Sequence, residues 1–175
     1  MTAGPGFWDG DLPPDVQSEK VIALFRMWQD KRGTRTLPSR TDFDVAELKP
    51  WLGRLIIYDV LGDAEDFRYR LVGTDIVRIH GLDLTGRLVS EACYMGGTAH
   101  TRASLAEMCR SKMPRYRKDG EITARAWARA GERLFLPLGR NGDTVDQIIC
   151  LAASEEELVP RYQRPGASTT SPGLG

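Results

Sequence analysis

The residues able to do chemistry are few and widely separated. His80 and His100 are the only histidines in the 175-residue chain. A Ser-His-Asp or Cys-His device needs a base within hydrogen-bond reach of its nucleophile and a third group to orient it. Neither histidine has such a partner close in sequence. Cys93, Cys109 and Cys150 are odd in number and form no CxxC pair. They fit neither a disulfide framework nor metal-finger spacing, and read as reduced thiols of a cytoplasmic protein. No phosphate loop or dinucleotide fingerprint occurs. Asp83 and Glu91 are spaced acids of a loop, the pattern of solvated caps. Asp59 lies inside an apolar run and, if turned inward, requires a partner such as an arginine. Arg125, Trp127, Arg129 and Arg133 share one strand parity and form a basic, aromatic stripe. Such a stripe can meet an anion, a nucleic acid or a protein. It is equally the solvated face of a strand whose tryptophan packs under a helix. Lys plus Arg (24) equals Asp plus Glu (24), which favours the solvated face and argues against nucleic acid and anionic membrane as partners. Residues 110–140 depart from the balance, with nine basic and three acidic residues.

The elements that must position these residues follow from hydrophobic period and punctuation. Residues 1–14 hold three prolines and three glycines, and read as a flexible arm. Residues 15–32 read as a helix whose Val21, Leu24, Phe25 and Trp28 form one apolar stripe at i, i+3, i+4, i+7, ended by Gly33. Asp44 and Glu47 have capping-box spacing for a second short helix, which Pro50 closes. Residues 15–51 thus form an N-terminal helical extension. Arg54–Val60 is a near-continuous apolar strand, as in a strand covered on both faces. Phe67, Tyr69 and Leu71 alternate with Arg68, Arg70 and Val72 in the next strand. Gly73 breaks it. Thr74 is placed to cap the following short helix, and Asp75 lies near its positive end. Ile76, Ile79 and His80 share a face of this helix, and Gly81 is its left-handed stop. His80, at the helix C-terminus, is suited to the dipole there. A helix over 98–110, a short strand over 115–118, a long strand over about 123–138 and a last strand over 145–153 follow. In the long strand Leu134, Leu136 and Leu138 face the inner core. Asn141-Gly142-Asp143 is a hairpin turn. Residues 156–175 are Pro/Gly/Ser/Thr-rich and read as a disordered tail.

Two strands, a helical crossover and three strands make a five-stranded antiparallel sheet. The fold class is α+β, with helices on one face of the sheet and the helical extension before it. The segment Phe67–Gly86, with Tyr69-Arg70-Leu71-Val72-Gly73-Thr74, then Gly81-Leu82-Asp83-Leu84-Thr85-Gly86, and later Glu132-Arg133-Leu134-Phe135-Leu136-Pro137-Leu138, resembles the PAS sensor family, and in particular a bacterial subgroup of short stand-alone PAS-like proteins. The family's usual Asn after the strand is replaced by Gly73-Thr74, and its usual aromatic after the first glycine by Leu82. The PAS-like domain then covers residues 52–155.

The resemblance implies a sensory or regulatory module and not an enzyme. A small molecule would bind between sheet and helices, lined by Tyr58, Phe67, Tyr69, Leu71, Ile76, Ile79, His80, Leu84 and Leu136. The resemblance names no cofactor. A haem-binding PAS protein carries an axial His on the helix before the last three strands, which makes His100 the formal candidate without a companion motif. The flavin-photosensor cysteine sits within Gly-x-Asn-Cys-Arg-Phe-Leu-Gln, whereas Cys93 lies in Leu88-Val89-Ser90-Glu91-Ala92-Cys93, so a buried structural thiol is the simpler reading. Output would pass to a signalling protein partner, since no kinase, cyclase or helix-turn-helix segment occurs in the chain. Val21, Leu24, Phe25 and Trp28, with Trp127, are expected to cover the outer sheet face or a second copy in a homodimer. A ligand-free dimerisation or interaction module is the alternative, followed by a small enzyme on a cone-like α+β fold. No signal peptide pattern opens the chain, and no apolar run approaches the ~20 residues of a membrane span.

A first test is optical. The purified protein, made with cofactors available, is expected to be colourless. A Soret or flavin band would overturn that expectation.

Overall fold

The computed structural model describes residues 12–14, 16–92, 98–119 and 131–153. Five strands, β1 (Leu55–Leu61), β2 (Asp66–Val72), β3 (Arg115–Asp119), β4 (Gly131–Leu138) and β5 (Gln147–Ala153), form one antiparallel sheet in the order β2-β1-β5-β4-β3. The helices are α1 (Glu19–Arg32), α2 (Val45–Leu48), α3 (Thr74–His80) and α4 (Thr98–Ser111). The architecture is the α+β sheet anticipated from sequence. Residues 123–130 of the expected long strand, with Arg125, Trp127 and Arg129, lie outside the described residues, as does Cys93.

Local signals set the helix ends. The Ser18 hydroxyl accepts from Val21 N at the start of α1, and Gly33 closes that helix at φ 57°. Asp44 and Glu47 make the full reciprocal capping box of α2. Gly81 ends α3 in the left-handed conformation. Thr74 does not cap α3. Gly73 occupies that position with extended backbone and no side-chain cap. Its lack of a side chain serves close approach: a Cβ there would meet the Gly53 carbonyl oxygen at 2.4 Å and that of Leu52 at 2.5 Å. Asp75, in the first turn, instead pairs with Arg54 at 3.9 Å and Arg78 at 2.9 Å.

Strand pairing divides the sheet into two faces. Directly opposed residues share a face. Leu134, Leu136 and Leu138 of β4 oppose Leu151, Ile149 and Gln147 of β5, and Leu151 and Ile149 oppose Leu55 and Ile57 of β1. This is the face that α1 covers. At one end, the buried Glu132 carboxylate accepts from Gln17 N at 2.7 Å and Ser18 N at 2.9 Å. Lys118, opposite Glu132, reaches the Gln17 side chain. The Trp28 indole donates to the Pro137 carbonyl at 2.9 Å, and the Trp51 indole to the Lys20 carbonyl at 3.0 Å. Val21, Leu24, Phe25 and Trp28 are all at most 3% exposed, each worth about 1.5–3 kcal/mol by burial. The chain's own sheet covers the stripe. Leu12, in the segment read as a flexible arm, packs against the same core; residues 1–11 of that segment lie outside the described residues.

The opposite face belongs to α4. It carries Ile56 and Tyr58 of β1, Ile148 and Cys150 of β5, Arg133, Phe135 and Pro137 of β4, and Arg115 and Arg117 of β3. The Arg115 guanidinium donates to the Ser104 hydroxyl of α4, and Leu105 and Met108 of α4 are buried. The placement of Leu136 is therefore corrected: it lies under α1 and not on the α4 face. Arg133 is corrected in the opposite sense, from the outer face to the α4 face. Alternation had established which residues share a face but not which helix covers it.

β2 contains a second departure. The register passes from Tyr58↔Tyr69 to Ile57↔Leu71, leaving Arg70 as an extra residue. This bulge reverses the alternation. Phe67, Tyr69 and Val72 stay on the α4 face, while Leu71 moves to the face of Ile57 and is half-buried. The far edge of β2 is not bare. Gly86 N donates to the Tyr69 carbonyl, Tyr69 N to that of Arg87, and Val89 N to that of Phe67, so the chain after α3 pairs along the edge and blocks pairing with another strand.

Two substitutions test this packing. Glu132→Ala removes a buried acceptor from two backbone donors and should cost about 2–3 kcal/mol. Gly73→Ala, which forces backbone against backbone, should cost about 3 kcal/mol, against about 1 for Gly81→Ala, where the strain is only that of positive φ. Urea titration gives all three; equal losses at Gly73 and Gly81 would mean that the crossing at Gly53 is looser than described.

Candidate ligand-binding face

The site is built on the α4 face of the sheet. Cross-strand neighbours order it into rows. Tyr69, Tyr58, Ile148 and Pro137 form one row; Val72, Ile56, Cys150, Phe135 and Arg115 the next; Ala152, Arg133 and Arg117 the third. The face thus grades from aromatic through apolar to strongly basic. On the α1 face, by contrast, the facing residues of β4 from 134 to 138 are all leucine.

The two tyrosines are the polar centre of the aromatic end. Their rings lie 5.1 Å apart at 49°, and each residue is only 4% exposed. Burial pushes the Tyr58 phenol well above its ordinary value of 10.0; the nearby Cys150 thiol and Tyr69 add to the rise, and Arg133 offsets part of it. Tyr69 is also raised, first by burial and then by Cys150. Desolvation also governs Arg115: burial lowers its pKa, the Glu107 carboxylate opposes that lowering, and the like charge of Arg117 adds to it.

The residues expected to line a ligand distribute as follows. Tyr58, Tyr69 and Phe67 are buried together on this face. Ile76 of α3 and Leu84, just beyond α3, are buried in the same continuous core. Leu71 and Leu136 are on the other face. The side chains of Ile79 and His80 fall outside the described residues. His100 is exposed on α4. Among the described residues no group of His, Cys, Asp and Glu could hold a metal ion. Cys109 is half-buried with its thiol pushed up to about 11 by burial, far from the low values of reactive cysteines. Asp59 has the partners its position demanded: Gln147 Nε2 donates to it at 2.7 Å, and Arg70 lies 3.7 Å away.

Sequence reading missed Arg115, Arg117, Phe135 and Cys150 as members of this face. A signal was present. The even residues of β4 from 134 to 138 are uniformly leucine, whereas the odd ones from 133 to 137 are Arg, Phe and Pro. A uniform apolar row matches an uninterrupted stripe such as that of α1. A mixed row suits a face with polar work to do.

The tyrosine environment has a consequence for pH. The folded chain holds Tyr58 and Tyr69 protonated at pH values where the unfolded chain ionises them. Above about pH 10 the unfolded state binds fewer protons, so stability is full below that value and falls as pH rises toward the folded pKa values. Ultraviolet difference titration of the five tyrosines should show these two ionising only with unfolding, and Tyr58→Phe should shallow the alkaline loss of stability. Ionisation of all tyrosines in the folded chain near pH 10 would contradict the buried pair.

No curated protein and no solved structure matches the chain significantly. The family model described as "PAS domain" matches residues 16–152. That span takes in α1 and α2 as well as the whole sheet. Helix α1, the five-stranded sheet in its 2-1-5-4-3 order and the helices across the opposite face all fall within it. The chain belongs to the PAS family.

Proposed function

We propose that this PAS domain is a sensory module that takes up a small molecule between the sheet and α4 and passes the signal to a protein partner. PAS domains are sensory and interaction modules. The observation that carries the ligand reading is the composition of the α4 face. Two buried phenols and three arginines share it with a thiol and apolar side chains, whereas the α1 face is centred on leucines and isoleucines and keeps Glu132, Lys118, Asp59 and Gln147 in its two end rows. A surface needed only for packing has no use for so many polar groups, because each costs free energy to desolvate. The polar groups instead give such a face the means to orient a bound molecule. The chemistry proposed for this face is recognition.

A second reading has its own support. The Tyr58 and Tyr69 rings touch, and a face closed on itself suits a ligand-free interaction module. In either case the α1 stripe is occupied by its own sheet, so a homodimer would use another surface. No helix among the described residues is long and apolar enough to cross a membrane. Among the described residues neither Cys109 nor Cys150 forms a disulfide, which suits a reducing, cytoplasmic setting.

Native mass spectrometry of the full chain, after exposure to a small-molecule extract of its source cells, separates the readings. The expected result is a stoichiometric adduct that is lost on denaturation and weakened by Tyr58→Phe. The bare mass under gentle conditions would reject the ligand and leave the interaction module.

A further inference from the structure

The basic end of the α4 face points to the class of ligand, an inference that rests on the ligand reading above. Arg117 and Arg133 are direct partners across β3 and β4. Arg115 lies two residues from Arg117 on the same face, opposite Phe135. All three are partly buried. Like charges directly opposed across a sheet repel, and repulsion grows as water is withdrawn. The molecule nevertheless gathers three guanidiniums here while its total charge is balanced. From α4, Ser104 accepts from Arg115, and Glu107, ion-paired with Arg110, adds its negative charge near Arg115. Each of the three arginines is engaged within the chain. An incoming group therefore meets positioned forks, and adds to or exchanges with contacts already made.

We propose that Arg133, Arg117 and Arg115 bind the oxyanion of a small organic ligand, a carboxylate or a phosphate, whose body extends over Cys150 and Phe135 toward Tyr58. The planar guanidinium offers paired donors that match both oxyanions, which a lysine at the same place would not. An anion between Arg117 and Arg133 also removes the repulsion of the facing pair, so binding and sheet stability are linked. The occupant is a small molecule and not a polynucleotide, because the row lies on the face that α4 covers and is continuous with the buried tyrosines.

Isothermal titration of the full chain with citrate and with inorganic phosphate, at low ionic strength, tests the assignment. At least one should bind. Its dissociation constant should rise ~10-fold in Arg133→Gln and ~100-fold in Arg117→Gln/Arg133→Gln, a decade for each fork lost, and stay unchanged in Arg68→Gln, an exposed arginine of β2. Circular dichroism reports whether each variant is folded. If the double variant does not fold, Arg133→Lys decides: weaker binding by the folded protein supports the fork, and unchanged binding overturns it. Binding of neither anion, equal binding by parent and variants, or tighter capture of a single-stranded oligonucleotide by the same arginines would each overturn the proposal. A neutral adduct that survives Arg133→Gln in native mass spectrometry would reject the anion while leaving the ligand reading intact; no adduct of any kind would reject that reading itself.

Discussion

The structure depends on the requirement that both faces of the central strands be covered. β1 and β5 are buried on both sides: Leu55, Ile57, Ile149 and Leu151 on one face, Ile56, Tyr58, Ile148 and Cys150 on the other. α4 lies across the second face. The first would expose a continuous apolar surface without α1. Glu132 fixes that helix at its entry. The residue is 1% exposed, and its carboxylate satisfies the Gln17 and Ser18 N–H groups, which no helical carbonyl can reach. A buried carboxylate is costly unless its acceptors are used. Here both oxygens are used, and they sit near the positive end of the α1 dipole. The same side chain therefore depends on α1 for its own satisfaction, so helix and sheet hold each other.

Placing α1 in this way frees the other face for different composition. Pro137 shows how closely the two halves are fitted. In an antiparallel strand the N and C=O of a residue point to the same side. β3 pairs with β4 only as far as Phe135, so the side of Pro137 away from β5 has no strand to serve. The missing N–H is no loss there, and the orphan carbonyl is taken by the Trp28 indole. Proline thus closes the β3 side of the sheet with a bond to α1. Further along the strand, on the α4 face, the space is given to Phe135 and Arg133.

Much of the fold could be read from the sequence because its signals are local. The capping box of Asp44 and Glu47, the stops at Gly33 and Gly81, and the apolar run of β1 each act within a few residues. The strand sequence and the helical crossover then leave few topologies. What was not legible is non-local. The bulge at Arg70 depends on how β2 meets β1, and it moved Leu71 to the other face without any change in the local alternation. The side on which Leu136 lies depends on which helix reaches it, a fact of tertiary packing. Gly73 was read as a strand breaker, and its real constraint is the backbone of Leu52 and Gly53 across the fold. For the site, the tyrosine pair was legible because Tyr58 and Tyr69 stand in strongly patterned strands. The arginine row was not, because it appears only when β3 and β4 are aligned.

The register between β3 and β4 also bounds how the site can respond. The basic residues lie at the sheet's β3 side, Arg115 and Arg117 on β3 and Arg133 on β4. The tyrosine row lies on β1 and β2, where the chain continues through Gly73 into α3. A molecule engaging both rows would span four strands and bear on β5, whose Cys150 lies between them. β5 carries little freedom to shift, since its neighbours on both sides bond to it and both its faces are buried. A rearrangement is easier in the helix than in the sheet: α4 is held by buried Leu105 and Met108, an exposed bond from Arg102 to the Glu65 carbonyl and a part-buried bond from Arg115 to Ser104. Elements held by fewer buried contacts open at lower free energy than the sheet core. On the proposed ligand reading, a change at this face would be carried by α4 against the sheet, while α1, bound through Glu132 and Trp28, keeps the opposite face closed.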